Sequence, residues 1–179
     1  KSEEDVKDGM DIALCSLSGA EGKQVLKYAG ANNPLWIIRK GADSIEEIKA
    51  NKQPIGQSTD PLPYTTHQVD LNPGDSFYIF SDGFADQFGG AKGKKFKAAN
   101  FKRLLLSIQD KNMPEQRALI KTAFHDWMGN FEQLDDVCVI GVMVWRFLRL
   151  LSFYLTDAAV STSEAKGPKV QGRSSVLKI

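Results

Sequence analysis

Apolar residues recur along the chain in two periods, an alternation in its first half and a three-to-four spacing in its second. Residues 11–17 (Asp-Ile-Ala-Leu-Cys-Ser-Leu) predict a buried strand and residues 24–29 a second. Ser18, Gly19, Ala20, Glu21 and Gly22 supply the turn chemistry between them. A third strand over 35–39 follows the turn at Asn32-Asn33-Pro34, so the three read as an antiparallel meander and not as a βαβ unit. Residues 41–63 are polar and rich in turn formers, a long loop with one helical turn expected over 44–49. Residues 64–71 alternate as a strand does. Asn72-Pro73-Gly74-Asp75 is a turn, and residues 76–80 are apolar on both faces, the pattern of a strand covered on both sides.

Two helices follow. Asn100 is placed to cap a helix in which Phe101, Leu104, Leu105 and Ile108 share one face. Pro114 suits the first turn of the next, where a missing N–H costs nothing, and Gly129 suits its end. Ile120, Ala123, Phe124 and Trp127 form the apolar stripe between them. Residues 137–144 are the last strongly apolar strand. Beyond Val144 the pattern breaks: 145–155 is aromatic and leucine-rich, and 161–179 has the Ser/Lys/Gly composition of disorder. The expected division is a folded domain over 1–144 and an extra-domain, partly disordered tail over 145–179.

Composition narrows the function classes. With 42% hydrophobic and 25% charged residues in 179, the chain has ordinary globular usage and enough material for a core. A net charge of +1 gives no global field for nucleic acid or an anionic membrane. The run over 145–160 is interrupted by Arg146, Arg149 and Asp157, far short of the ~20 apolar residues of a spanning helix. Cys15 and Cys138 both sit in apolar segments, which fits reduced core thiols of a cytoplasmic protein better than a disulfide framework. The chain starts at Lys1 with no signal-peptide pattern, the start expected of an N-terminally truncated fragment.

Ser81-Asp82-Gly83 ends one buried strand and Asp135-Asp136 begins another. If those strands pair antiparallel, Asp82 and Asp135 meet at one edge of the sheet. Clustered carboxylates repel unless protonated or bridged by a cation, and oxygen donors without His or Cys suit Mg²⁺ or Mn²⁺. Gly83 would let backbone or solvent approach closely. An ordinary Asp-Gly turn and an ordinary Asp-Asp loop explain the same residues without a metal, so on chemistry alone both readings stand.

The strings Phe80-Ser81-Asp82-Gly83-Phe84-Ala85-Asp86 and Leu134-Asp135-Asp136-Val137-Cys138 resemble the C-terminal part of the SpoIIE/RsbU-type phosphatases, of the PPM superfamily of metal-dependent Ser/Thr protein phosphatases. Asp8-Gly9-Met10-Asp11, Tyr28-Ala29-Gly30-Ala31-Asn32-Asn33-Pro34 and Gln53-Pro54-Ile55-Gly56 agree in order and spacing, over roughly three quarters of the chain. The resemblance implies an α+β fold, an antiparallel β-sandwich flanked by helices in an α-β-β-α arrangement, with a pair of Mn²⁺ or Mg²⁺ ions at one end. It makes Asp82 and Asp135 metal ligands and Asp136 a neighbour that supports them. The family's Asp-x-x-Gly-His-Gly segment, whose Asp bridges the metals, is absent from this chain.

The implied reaction is hydrolysis of phosphoserine or phosphothreonine by a metal-activated water, in bacterial cytoplasmic signalling. The implied substrate is a phosphoprotein such as an anti-sigma-factor antagonist, and an upstream sensor or repeat domain is expected in the full-length protein. By itself this chain is expected to be inactive. The alternative is a pseudophosphatase, a non-catalytic module that binds a signalling partner. Lys92, Lys94 and Lys95 lie in a basic, flexible loop that would face an acidic or phosphorylated partner, although a solvated surface loop explains them too. Should the ligands lie elsewhere, Asp8, Asp11 and Asp86 are the next carboxylates to consider. His67 and His125 have no Ser or Cys partner at a recognisable spacing and read as structural or surface residues.

Overall fold

The computed structural model describes residues 9–20, 23–56, 60–145 and 151–156. Asp8, part of the expected 18–22 turn and the 161–179 segment lie outside the described residues. In chain order the strands are β1 (Gly9–Met10), β2 (Ile12–Ala20), β3 (Lys23–Ala31), β4 (Leu35–Ile38), β5 (Glu46–Ile48), β6 (Ile55–Gly56), β7 (His67–Leu71) and β8 (Ser76–Phe80). Then come α1 (Gly83–Asp86), β9 (Phe88–Gly89), β10 (Lys94–Lys95), α2 (Ala98–Ser107), α3 (Met113–Met128), β11 (Cys138–Met143) and β12 (Leu151–Thr156).

Two larger antiparallel sheets result, one ordered β12-β11-β8-β4-β5 and one ordered β2-β3-β7, beside the two-stranded pairs β1-β6 and β9-β10. Alternation along each strand decides which face meets what. Leu35 and Ile37 of β4, Phe77 of β8 and Val142 of β11 join Leu26, Tyr28 and Leu71 of the smaller sheet in one buried cluster, the seam of a sandwich. The intervening residues Trp36, Ile38, Tyr78, Phe80 and Val139 face the other way, against Phe84, Phe101, Leu105, Ile120 and Phe124 of the helices. The layers are therefore β-β-α among the described residues, and Leu14 of β2 remains 64% exposed.

Several sequence expectations change here. The meander does not form: β4 leaves β3 for the larger sheet, where it pairs with β5 and β8, while β7 takes its place beside β3. The reason is visible in the burial of all four β4 residues, which only a strand covered on both faces provides. The helical turn expected over 44–49 is instead the edge strand β5, drawn to β4 by the Arg39–Glu46 ion pair (2.9 Å) and by Trp36 Nε1 donating to Glu47 (3.2 Å). Asn100 does not cap α2: the helix starts three positions earlier behind Lys97 (φ 76°), and the Asn100 side chain donates to the Phe96 carbonyl. The cap of α3 is Asn112, which exchanges hydrogen bonds with Glu115 in a capping box worth about 1 kcal/mol. Pro114 occupies that first turn as expected. Past the boundary expected at Val144, β12 pairs along the whole of β11, whose outer edge otherwise offers unpaired backbone groups to any strand-like segment nearby.

Candidate metal centre

The pairing of β8 with β11 is antiparallel, with Phe80 opposite Val139, so the C-terminal end of one lies beside the N-terminal end of the other. Ser81 fastens this junction: its hydroxyl donates to the Asp136 carbonyl (2.7 Å) and accepts from Cys138 N–H (2.9 Å), and its own N–H donates to the Cys138 carbonyl (2.9 Å). Gly83 then sits so tightly that an added Cβ would lie 2.6 Å from the Asp136 carbonyl oxygen and 3.3 Å from Asp135 Cβ. Only a residue without a side chain lets the two segments meet this closely. Asp82 does not belong to a simple Asp-Gly turn. It precedes α1 with helical backbone angles, and its carbonyl accepts from Asp86 N–H at 2.9 Å.

The electrostatics follow from that crowding. The Asp82 carboxyl keeps contact with solvent, yet partial burial pushes it above the ordinary carboxylate range. The charges of Asp135, Asp86 and Asp11 push it further the same way. Asp11 reaches this edge just ahead of β2, held by the Asn32 side-chain amide at 2.7 Å. Asn32 adopts φ 58°, and its turn is pinned by Asn32 N–H to the Asn51 carbonyl (2.9 Å) and by Tyr28 OH to the Asn33 carbonyl (2.7 Å). An open cavity of about 310 Å³ adjoins the edge, lined by Gln133, Leu134, Asp135 and Asp136. Crowded carboxylates are the donor chemistry of a hard dication such as Mg²⁺ or Mn²⁺. Among the described residues, however, no three His, Cys, Asp or Glu side chains stand close enough to hold an ion together. The donor type fits; the donor set is partial.

The sequence model of the family Stage II sporulation protein E (SpoIIE) matches residues 3–145, well over half of the chain. The chain belongs to the SpoIIE family. Its fold is shared with solved phosphatase domains. The SiaA-PP2C domain of Pseudomonas aeruginosa aligns at 27% identity with a TM-score of 0.58, over 69% of this chain and 50% of that one. The phosphatase domain of the cell fate determinant SpoIIE from Bacillus subtilis, presoaked with Mn, aligns at 16% identity with a TM-score of 0.53, over 75% of this chain and 56% of that one. This SpoIIE-family chain thus spans about half the length of the solved domains it resembles. No curated protein matches it.

The structure brings Asp82, Gly83, Asp135 and Asp136 to one edge of the SpoIIE-family fold. Asp136 touches the junction through its carbonyl, which accepts from Ser81, while its side chain is exposed. Lys92 lies in an exposed turn and Lys94 and Lys95 follow it on β10. They sit on a hairpin of β9 and β10 whose glycines wrap Trp127: Gly90 N–H donates to the Trp127 carbonyl at 2.8 Å, and a Cβ on Gly89 would lie 1.9 Å from that same oxygen. His67 stacks on Tyr28 with ring centroids 6.0 Å apart, and His125 is exposed on α3. Cys15 and Cys138 are free and partly buried. No helix among the described residues is long and apolar enough to cross a membrane. The i, i+4 relation that carries Asp86 onto the acidic edge was readable only if Asp82-Gly83 is taken as a helix start.

Proposed function

We propose that the chain is the C-terminal part of the catalytic domain of a metal-dependent protein serine/threonine phosphatase. The observation that carries this reading is the junction of β8 and β11, which crowds the Asp82 carboxyl against Asp135 at one edge of the sheet. Asp82 and Asp135 would hold Mn²⁺ or Mg²⁺ through carboxylate oxygens, with the remaining ligands coming from outside the described residues. When bound, such ions supply an acidified water and neutralise charge on the phosphoryl group. This chain's own contribution is positional. Ser81 locks the two strand ends, Gly83 sets their separation, Asn32 holds Asp11, and the cavity beside Asp135 admits a phosphorylated side chain. The substrate class is a phosphoprotein, such as an anti-sigma-factor antagonist, in bacterial cytoplasmic signalling; an upstream sensor or repeat domain completes the proposal.

Phosphoserine-peptide hydrolysis, measured with and without Mn²⁺ on this chain and on the full-length protein containing it, tests the reading. The full-length protein should turn over only with metal, and this chain alone should be silent. The second reading is a non-catalytic module for a signalling partner, which the absence of an Asp-x-x-Gly-His-Gly segment from the full-length protein would favour. A full-length protein that binds the phosphopeptide but never hydrolyses it would establish that reading instead.

A further inference from the structure

The hairpin beside the acidic edge carries a concentrated positive charge. Residues 88–97 hold Lys92, Lys94, Lys95 and Lys97 and no acidic residue, in a chain whose net charge is only +1. Of the four, Lys95 pairs with Asp86 at 2.7 Å; among the described residues the other three make no ion pair. We propose that this hairpin is a docking arm for acidic residues flanking the phosphorylated Ser or Thr of the substrate, an inference that rests on the phosphatase reading above.

The arm is rigid. Buried Gln87 anchors its base: the side-chain amide donates to the Glu132 carbonyl (2.9 Å), and the Gln87 carbonyl accepts from Trp127 Nε1 (3.0 Å) and Phe96 N–H (2.9 Å). Lys97 N–H closes the far side onto the Ala85 carbonyl at 2.7 Å. A segment already held in this way loses little freedom on binding, so its charges act at low entropic cost. The arm is also aimed. It leaves α1 directly after Asp86, and through Glu132 it is tied to the 130–136 segment that carries Asp135. Phe131 of that segment, 46% exposed, lies against Gly93 at the turn of the hairpin. Lys95 reaches Asp86 on the acidic edge, and Lys92 and Lys94 share its short hairpin.

Charge decides the occupant. An edge carrying Asp82, Asp86 and Asp135 repels a phosphoprotein, and a neighbouring basic arm offsets that repulsion and steers encounter. The positive patch is one short hairpin that stops at an acidic edge. A long polyanion crossing it would run onto those carboxylates, whereas a short acidic stretch beside a phosphoresidue would not.

The test is fluorescence anisotropy of this chain, without metal, against a labelled phosphoserine peptide with Asp/Glu flanks and its twin with Asn/Gln flanks. The acidic peptide should bind about three- to tenfold tighter at low ionic strength, as expected for two exposed charge contacts. Lys92→Glu with Lys94→Glu should abolish that preference. Lys49→Glu with Lys121→Glu, which makes the same change of net charge at exposed sites elsewhere, should keep it. A preference that survives the hairpin substitutions, or one lost equally in the control pair, overturns the proposal. So does duplex DNA binding tighter than the acidic peptide, which would make the hairpin a general polyanion patch. Because nothing is hydrolysed in this measurement, a failed phosphatase assay and a failed docking arm are separate results.

Discussion

Strand β8 is bracketed by two aspartates whose environments are opposite. Asp75, just before it, is almost fully buried and fully partnered: Arg39 Nη1 at 3.0 Å, Lys40 N–H at 3.0 Å and Asn72 N–H at 3.0 Å all donate to its carboxylate. Asp82, just after it, keeps solvent contact and faces other carboxylates. The first arrangement ties the β7–β8 turn to β4 and serves stability, since a buried carboxylate survives only with such partners. The second arrangement works against stability unless something positive arrives. Two residues of one type, one strand apart, thus separate architecture from function, and the difference is read from their partners and not from their burial.

The largest effect should come from breaking the unpartnered end. In the full-length protein, Asp82→Asn or Asp135→Asn should each lower metal-dependent phosphopeptide turnover more than ~100-fold, beyond the loss typical of residues that merely support a metal ligand. Their thermal stability should be retained. Asp75→Ala should do the reverse. It strands two backbone N–H groups and leaves the Arg39 guanidinium only Glu46 and the Asp70 carbonyl, costing roughly 1–3 kcal/mol in urea denaturation, with kcat of the folded fraction unchanged. Equal loss of turnover in both variants would erase the distinction.

A smaller effect sharpens it through pH. Because folding raises the Asp82 carboxyl above its ordinary value, the stability associated with its neutral form is complete below pH 3.8 and is lost as pH rises through the raised value. With a chelator present, Asp82→Asn should therefore melt higher than the parent near neutral pH, and the gap should close as pH falls toward 3.8. Saturating Mn²⁺ should narrow or invert the gap at neutral pH. An Asp82→Asn variant that melts lower than the parent at pH 7 with chelator would contradict the assignment. The smallest effect concerns the far edge of the same sheet. Removing residues 146–179 takes β12 from β11 and should lower the melting temperature by a few degrees. An unchanged value would support the domain boundary expected at Val144.

Much of this was legible in the sequence, for physical reasons that differ by region. The double-faced apolarity of residues 76–80 and 137–144 located β8 and β11, and their antiparallel pairing followed, which brought Asp82 to Asp135. What the pattern could not convey was sheet membership. The crossing of β4 depends on burial of both its faces, and an apolar run reads the same in either sheet. Edge strand β5 escaped because Glu46 and Glu47 are polar, and what holds them as a strand is side-chain pairing with Arg39 and Trp36 and not an apolar alternation of their own. The anchoring of the lysine hairpin escaped too: its glycines signalled a loop, and the Trp127 carbonyl they wrap lies a helix away.

The most direct test is a crystal of the full-length protein grown with Mn²⁺ and measured for anomalous scattering. A manganese peak should lie between Asp82 and Asp135, with carboxylate oxygens about 2.0–2.2 Å away. Peaks held only by other carboxylates, or none at this edge at saturating Mn²⁺, would contradict the metal centre.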